Sequence, residues 1–436
     1  MWWESLRRRE LLSSPGFRPF RANPSWMKRG ELESKVLILV TLALVAFGLV
    51  MVYSATSAAA EVGGQNPNYY LERQGLYAAL GICLMMAAQR WDYRRLRFLA
   101  PPLVLLALLL LAAVLAIGPA INGARRWISF GPAVFQPSEF AKLALAIWAA
   151  TYLSRHPAPR DLRQLARPVG ALAAVFAVLL ILEPDLGTTI ALLGMLAAML
   201  LVAGTPFPTL SSGLAIAGAL GTAAIWLEPY RRARFFAFLH PWHDAQGTGF
   251  QIVQALIGMG SGGIFGVGLG QGVQKIFYLP EAHTDMMLAN IGEELGLIGV
   301  GAVIAAYTLF AWAGLKIAGA CRDPFGKLLA SGLTVLVCGQ AAINIAAVMG
   351  VAPLTGIPLP FLSYGGSSLV ILLASVGILL NIAHRGNTQT ASVRDSGRRD
   401  GRARALGTRS SGSPDGTRRV RDVRRVAGSG RGPARP

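Results

Sequence analysis

The chain has 436 residues, of which 53% are hydrophobic and only 14% are charged. A soluble protein of this length would carry about 25% charged residues, so the composition excludes a soluble globular protein and indicates a polytopic membrane protein. The formal charge of +19 does not indicate nucleic-acid binding by a folded domain, because the tail 385–436 alone has fourteen arginines against four aspartates.

Ten apolar runs have the length of membrane-spanning helices, about 17–25 residues. The sequence therefore predicts an all-α polytopic membrane protein with about ten transmembrane helices. The fifth and sixth runs are separated only by Glu183–Gly187, and the eighth is long enough to be tilted. The predicted spans are 36–56, 74–90, 100–120, 137–153, 168–183, 187–204, 207–227, 285–315, 327–350 and 366–384.

Lys and Arg residues predict the orientation, because cytoplasmic loops are enriched in them. They concentrate before the first span and in the even-numbered loops, so both termini are predicted to be cytoplasmic. The large loop 228–284, between helices seven and eight, is then extracytoplasmic. This divides the chain into a basic cytoplasmic segment 1–35, a transmembrane domain 36–384 and a basic tail 385–436. The tail's composition predicts disorder and binding to the anionic inner leaflet.

The three cysteines do not suggest a metal centre or a disulfide framework. Cys83, Cys321 and Cys338 lie in or beside apolar runs without the spacing of metal ligands, so we interpret them as packing residues.

Polar residues gather in five segments that this topology places on the outer face. One cluster in each segment, all on one face, predicts a single outward-facing site. The segments are 123–142, 183–189, 241–275, 275–296 and 356–368.

Lys142 is the only Lys or Arg inside a predicted span, apart from Arg90 and Lys327 at the very ends of two others. Pro137 suits the first turn of that helix, and Glu139 lies three residues before Lys142 on the same face. Lys142 either binds a lipid phosphate or forms a self-neutralising pair with Glu139. Phosphate binding is favoured, because charged residues inside a membrane are rare without a functional role. Arg125 and Arg126 precede Trp127, and they are either ordinary interfacial residues or part of a cationic patch with Lys142.

Glu183 and Asp185 flank Pro184 in a short outer turn. Two carboxylates there suit a divalent cation such as Mg²⁺ or Mn²⁺, whereas Asp185 equally suits the cap of the helix that follows. No organic cofactor is expected.

Two glycine-rich segments border the outer face. The run 250–260 is apolar but too short to span, which indicates an interfacial or re-entrant segment, and glycines 258–272 allow close backbone approach. "SYGGSS" precedes the last helix, where backbone N–H groups suit an anion. Flexible loops are the alternative for either segment.

Asp285 stands where a loop becomes a helix. It is either a helix cap, in competition with Thr284, or a partly buried general base. His283 is a second candidate base or a hydrogen-bonding group. Glu293 and Glu294 lie deeper in the helix and are predicted to brace neighbouring helices.

Five ordered motifs together resemble the SEDS family of membrane proteins. They are "GARRWISFG…FQPSEFAK", "EPDLGTT", "GTGFQIVQALIGMGSGGIFGVGLGQGVQKIFYLPEAHTD", "IGEELGLIG" and "PLPFLSYGGSS", and the resemblance covers about residues 36–384. It implies a ten-helix peptidoglycan glycosyltransferase that polymerises lipid II into β-1,4 glycan strands outside the cytoplasmic membrane. The "YLPEAHTD" motif is more similar to the cell-division members than to the elongation members.

The resemblance also implies roles for individual residues. Asp285 matches the family's essential acidic residue, and Trp127, Glu139, Lys142 and Asp185 match residues around its central cavity. Val134 stands where the family usually has Arg, so Arg125 or Arg126 is the candidate replacement. The predicted substrate-binding set is Trp127, Arg126, Glu139, Lys142, Asp185, Lys275, Glu281, His283, Ser363 and Ser367, with any metal ligands unassigned.

The implied partners are lipid II, a class B penicillin-binding protein transpeptidase and other divisome membrane proteins, with no nucleic acid. The implied location is the cytoplasmic membrane at the division septum. A lipid II flippase is the alternative of a different class, and an elongation or sporulation paralogue would share the chemistry. A flippase needs charged intramembrane residues but no general base at the outer surface. A scaffold alone would leave the outer charges unexplained.

Overall fold

The computed structural model describes residues 31–62, 66–120, 124–131, 133–276 and 279–407, and helices dominate these ranges. Most of the predicted N-terminal segment 1–35 and the end of the tail lie outside the described residues. In chain order the helices are α1 Glu31–Val62, α2 Tyr69–Arg90, α3 Leu96–Ile117, α4 Pro137–Leu153, α5 Leu162–Leu165, α6 Ala171–Leu182, α7 Leu186–Ala203, α8 Phe207–Leu227, α9 Pro229–Leu239, α10 Phe250–Gly262, α11 Met287–Ala320, α12 Pro324–Val348 and α13 Gly366–Gly407.

Eight helical segments of the described ranges are long and apolar enough to cross a membrane. Two more predicted spans are also helical, α2 and α4. However, α2 carries Glu72, Arg73 and Arg90, and α4 has only 17 residues. The multi-pass helical fold is therefore confirmed, while the count of ten spans stays a prediction.

The centre of the bundle is α12, which packs against α11, α7 and α4. Pro324 opens this helix, and Asp323 caps it by accepting the N–H of Gly326 at 3.3 Å. Glycines bring other helices close together. A Cβ at Gly377 of α13 would come within 2.3 Å of the backbone oxygen of Met85 on α2, so only glycine permits this approach.

A short hairpin departs from the all-helical prediction. Ile128–Phe130 (β1) pairs with Ala133–Phe135 (β2), and Gly131 in the turn has φ +60°. Strands of three residues are too short to leave a clear alternating pattern in the sequence.

The last helix extends beyond its predicted end at residue 384. The backbone is helical to Gly407, inside the segment for which composition predicts disorder. The chain forms two compact units that meet at Thr388 and Gln389. The sites described below lie in the first unit.

The large loop between α8 and α11 contains helices of its own, and the predicted interfacial or re-entrant run 250–260 falls in α10. The glycine-rich stretch after α10 runs beside α11, where α11 breaks at Gly296 (φ 64°, ψ −160°). The predicted eighth span, 285–315, corresponds to α11, which is one of the eight candidate membrane spans, and the break at Gly296 is a feature that the sequence prediction did not include.

Backbone groups freed by the break bond to the glycine-rich stretch. Leu297 N–H donates to Gly263 O at 2.9 Å, and Val267 N–H donates to Glu293 O at 3.0 Å. Gly268 N–H likewise donates to Glu294 O at 3.0 Å. Non-helical backbone at membrane depth is tolerated where protein groups satisfy it in this way.

Candidate functional site

Four loops meet at one end of the bundle. They are the segment between α3 and α4, the α6–α7 turn, the loop between α12 and α13, and the loop that leads into α11. Gly356, between α12 and α13, marks where they join. A Cβ built on Gly356 would lie 3.9 Å from both Arg126 Nη1 and Asp285 Oδ2. A cation and a carboxylate therefore both lie next to Gly356, and the space between them is called the gap below.

Arg126 is held by backbone carbonyls. Its Nε donates to Glu183 O at 3.1 Å, and its Nη2 donates to Pro184 O. Arg125 points elsewhere, because its Nη1 donates to Leu115 O at 3.1 Å near the end of α3. Of the two candidate replacements for the missing arginine, Arg126 is the one beside Asp285. Val134 itself lies in β2 opposite Ser129, with 37% of its surface exposed.

Asp285 does not cap α11. The cap position is Met286, which makes no side-chain capping bond, so the capping alternative is wrong. The Asp285 side chain is only partly accessible. Desolvation, reinforced by the nearby charge of Glu281, raises its pKa to about 6, while Arg234 acts in the opposite direction. A carboxylate with this pKa is well suited to accept a proton near neutral pH.

Lys142 and Glu139 form the predicted pair. Lys142 Nζ lies 2.7 Å from Glu139 Oε1, and the two side chains are 1% and 2% exposed. Ser368 Oγ donates to Glu139 Oε2 at 3.1 Å, which joins the pair to the first turn of α13. Next to it, Ser367 Oγ accepts the N–H of Gln136 at 3.2 Å, just before α4. This geometry fits the self-neutralising alternative, and contact of Lys142 with substrate stays a prediction.

The two carboxyl groups of the α6–α7 turn have different surroundings. Asp185 accepts the N–H of Thr188 at 3.0 Å and caps α7. Glu183 is fully buried, and neither carboxyl oxygen has a hydrogen-bond partner. Burial and the neighbouring charge of Asp185 raise the pKa of Glu183 to about 8, although Arg126 opposes this.

Several oxygens of this turn are already engaged. The carbonyls of Glu183 and Pro184 accept bonds from Arg126, and Asp185 Oδ1 accepts the N–H of Thr188. Within the described ranges, the structure contains no group of three or more His, Cys, Asp or Glu side chains that could hold a metal ion. The divalent cation of this turn therefore stays a prediction.

His283 lies in an aromatic cluster. Its ring centroid is 5.0 Å from that of Tyr70 and 5.7 Å from that of Tyr364, and its carbonyl accepts the N–H of Tyr364 at 2.8 Å. Burial lowers the pKa of His283, partly offset by Glu281. These ring contacts hold the imidazole in place, and the role of His283 as a second base stays a prediction.

The remaining predicted residues lie in three different settings. Glu281 accepts a bond from Thr284 Oγ1 at 2.8 Å on the exposed surface. Ser363 Oγ accepts the N–H of Leu359 at 2.9 Å and so stabilises its own loop. Trp127 is half-buried next to the hairpin. None of these contacts tests their predicted role in substrate binding.

Lys275 is enclosed in the protein. Its Nζ lies 2.7 Å from Glu294 Oε1, 3.1 Å from Ser54 Oγ and 2.8 Å from Gly270 O. Three acceptors match the three hydrogens of an ammonium group. Glu293 Oε1 accepts the N–H of Val273 at 2.8 Å. Glu293 and Glu294 thus fix the glycine-rich stretch, and Lys275 fits a structural role better than the predicted contact with substrate.

Asn344 is a residue of the site that the motifs do not reveal. Its Nδ2 donates to Asp285 O at 2.7 Å and to Ile357 O at 2.8 Å. The available sequence signal was an amide within the apolar predicted span 327–350, since such polar residues usually have a partner.

Comparisons with known proteins agree with this architecture. The sequence profile of the cell cycle protein family of FtsW, RodA and SpoVE matches residues 34–388. The chain is 42% identical over 369 residues to the probable peptidoglycan glycosyltransferase FtsW of Geobacter metallireducens, covering 84% of this chain and 98% of the relative. It is 40% identical over 354 residues to the stage V sporulation protein E of Bacillus subtilis, covering 80% and 96%.

Solved structures show the same relationship. A chain of a peptidoglycan synthase complex that coordinates polymerization and crosslinking has a TM-score of 0.65 and 34% identity, covering 81% of this chain and 98% of that one. The rod shape determining protein RodA of Thermus thermophilus has a TM-score of 0.60 and 32% identity, covering 80% and 95%. The chain therefore belongs to the FtsW, RodA and SpoVE family, as its five motifs predict.

Proposed function

We propose that the chain polymerises lipid II into β-1,4 glycan strands at the outer face of the cytoplasmic membrane. It is a peptidoglycan glycosyltransferase, in agreement with the names of its relatives. One observation carries the assignment of the site: Asp285, with its raised pKa, and Arg126 border the same gap beside Gly356. Base and cation are the two groups that glycosyl transfer from a lipid pyrophosphate requires.

The reaction assigns a role to each group. The acceptor's GlcNAc 4-hydroxyl attacks the anomeric carbon of the donor, and the new C–O bond forms with inversion. The bond from that carbon to the pyrophosphate oxygen breaks, and its electron pair leaves with the pyrophosphate. The hydroxyl proton passes to the Asp285 carboxylate. Each transferred unit therefore leaves one protonated carboxyl group, which must lose its proton before the next turn.

Arg126 is suited to the departing pyrophosphate. Its guanidinium is oriented by two backbone carbonyls before substrate arrives, so little reorganisation is needed as negative charge develops. Lys142 is the second candidate cation. Its pair with Glu139 is buried, so contact with phosphate requires Lys142 to exchange one partner for another.

The partner and the location extend this proposal. One structural relative belongs to a peptidoglycan synthase complex, which supports a transpeptidase partner, and we propose a class B penicillin-binding protein together with other divisome membrane proteins. The "YLPEAHTD" motif favours the septum of dividing cells. A sporulation paralogue is the second candidate, because the stage V sporulation protein E is 40% identical to this chain.

The test is polymerisation of purified lipid II by the purified full chain, with and without the partner, followed by gel separation of glycan strands. We expect strands whose formation the partner increases. The competing flippase function would give lipid II movement across vesicles and no strands under either condition, and that result would overturn the proposal.

A further inference from the structure

Asn344 is a buried amide near the end of α12 with 2% of its surface exposed. Burying an amide in an apolar span is unfavourable unless its hydrogens are bonded. Both Nδ2 hydrogens are used here, on Asp285 O at 2.7 Å and on Ile357 O at 2.8 Å, whereas Oδ1 has no hydrogen-bond partner. One side chain thus joins the peptide groups of two separate loops.

These two loops form the gap of the candidate site. Asp285 supplies the carboxylate, and a Cβ built on Gly356, the residue before Ile357, would lie 3.9 Å from both Asp285 Oδ2 and Arg126 Nη1. The side chain of Ile357 also packs closely on Gly187, directly after the α6–α7 turn, because a Cβ on Gly187 would come within 2.5 Å of it. Asn344 therefore holds the carboxylate-bearing loop against the loop that packs on the α6–α7 turn.

We infer that Asn344 is a positioning residue for glycosyl transfer, which sets the placement of the Asp285 carboxylate relative to the Arg126 guanidinium. The inference rests on the proposed function of this site. Asn344 has no role in proton transfer itself, since it contacts only the main chain of Asp285. Its effect on the reaction is geometric, and a displacement of about 1 Å can reduce a rate by roughly 10²-fold.

The chain contains a matched control in Asn381. This asparagine is also fully buried, and it joins helix ends by donating to Gln89 O at 2.5 Å and accepting the N–H of Tyr93 at 3.0 Å. It lies fifteen residues beyond Gly366 in α13, and neither of these hydrogen bonds involves the loops of the site. Asn381→Ala therefore reports what loss of a buried interhelical amide does to folding alone.

The experiment compares Asn344→Ala, Asn344→Gln and Asn381→Ala in the full chain, with rates of lipid II polymerisation expressed per folded molecule. For Asn344→Ala we expect kcat to fall about 10²-fold with KM changed less than about threefold, as expected when geometry at the reacting atoms is lost. Asn344→Gln keeps an amide but moves it by one methylene, so an intermediate loss is expected. Asn381→Ala should retain the wild-type kcat.

The pH profile supplies a second readout that a purely structural role would not change. Looser loops admit water to Asp285, so the acid limb of kcat/KM should move to lower pH in Asn344→Ala. Glu281, Arg234 and Arg126, the charged groups around Asp285, are unchanged in this variant.

A kcat for Asn344→Ala equal to that of Asn381→Ala, with an unmoved acid limb, would overturn the inference. If Asn344→Ala does not fold, Asn344→Gln decides: a wild-type kcat and acid limb in that variant rejects positioning. Absence of strands from the wild-type protein would instead reject the proposed function.

Discussion

Lys142 and Glu139 form a buried ion pair, and its contribution to the stability of the protein can be measured separately from its contribution to substrate binding. Removing one partner leaves the other charge buried and unpaired, which typically costs 3–5 kcal/mol. Ser368 bonds Glu139 but does not neutralise it. A single substitution could therefore lower activity either by unfolding the protein or by removing a contact with substrate.

We expect Lys142→Met to destabilise the protein by about 3–5 kcal/mol, and the double variant Lys142→Met/Glu139→Gln to recover most of that loss. If Lys142 also binds a lipid phosphate, the stable double variant will still polymerise slowly. Thermal unfolding and glycan synthesis are the two measurements. Wild-type turnover by the double variant would show that the pair is only structural.

Asp285 gives the reaction a defined pH dependence. Because the base acts in its ionised form and its pKa is about 6, kcat/KM should fall as the pH drops through 6. The measurement is the rate of strand formation from pH 5 to pH 8. A profile that is flat across this range would show that no group with this pKa acts as the base.

The raised pKa of Asp285 also makes the stability of the protein depend on pH. A carboxyl group whose pKa is raised on folding binds its proton more tightly in the folded state, so its contribution to stability declines as the pH rises from the ordinary value through 6. Asp285→Asn should therefore raise the unfolding temperature at pH 7.5 and change it little at pH 4.

Among the elements, the break in α11 and the glycine-rich stretch beside it form one unit. Glu293 and Glu294 supply both backbone carbonyls and carboxylates to this stretch, and Lys275 neutralises Glu294. Gly266 and Gly296 have φ values of 81° and 64°, which side chains rarely adopt.

We expect Lys275→Met to lower the free energy of unfolding by about 3–5 kcal/mol, because Glu294 is fully buried and would lose its counter-ion. Adding Glu294→Gln should restore stability together with polymerisation. A stable double variant that remains inactive would reinstate Lys275 as a substrate-binding residue.

The sequence predicted those features whose interacting residues are close together along the chain. Local patterns predicted the long helices, the Glu139–Lys142 pair three residues apart and the cap by Asp185. They did not predict the partner of Glu294, because Ser54 is 240 residues away. They also missed the break at Gly296, since its released backbone groups find partners in the loop without disturbing the apolar pattern. Asn344 was missed because its acceptors are main-chain atoms, which carry no sequence signature.

At the scale of the whole molecule, the outward-facing site depends on the predicted topology. Asp285 and Arg126 lie at the end of the bundle where α13 begins, opposite the end with the basic residues Arg90 and Arg385. Lys and Arg favour the cytoplasmic side, so the site is expected outside.

A reporter fused at Ala245, between α9 and α10, should behave as extracytoplasmic, and one fused near Arg385 as cytoplasmic. Truncation after Asn387 serves as the control for the tail, and it should leave polymerisation intact. Cytoplasmic labelling at Ala245 would contradict both the topology and the placement of the reaction.

Asp285→Asn tests the central claim most directly. The substitution keeps the size of the side chain, and Asp285 does not cap α11, so insertion and partner binding should remain normal. It removes the base, and purified protein should form glycan strands from lipid II roughly 10²-fold more slowly, or slower still. Near-normal strands from Asp285→Asn would exclude Asp285 as the base and return the flippase alternative to consideration.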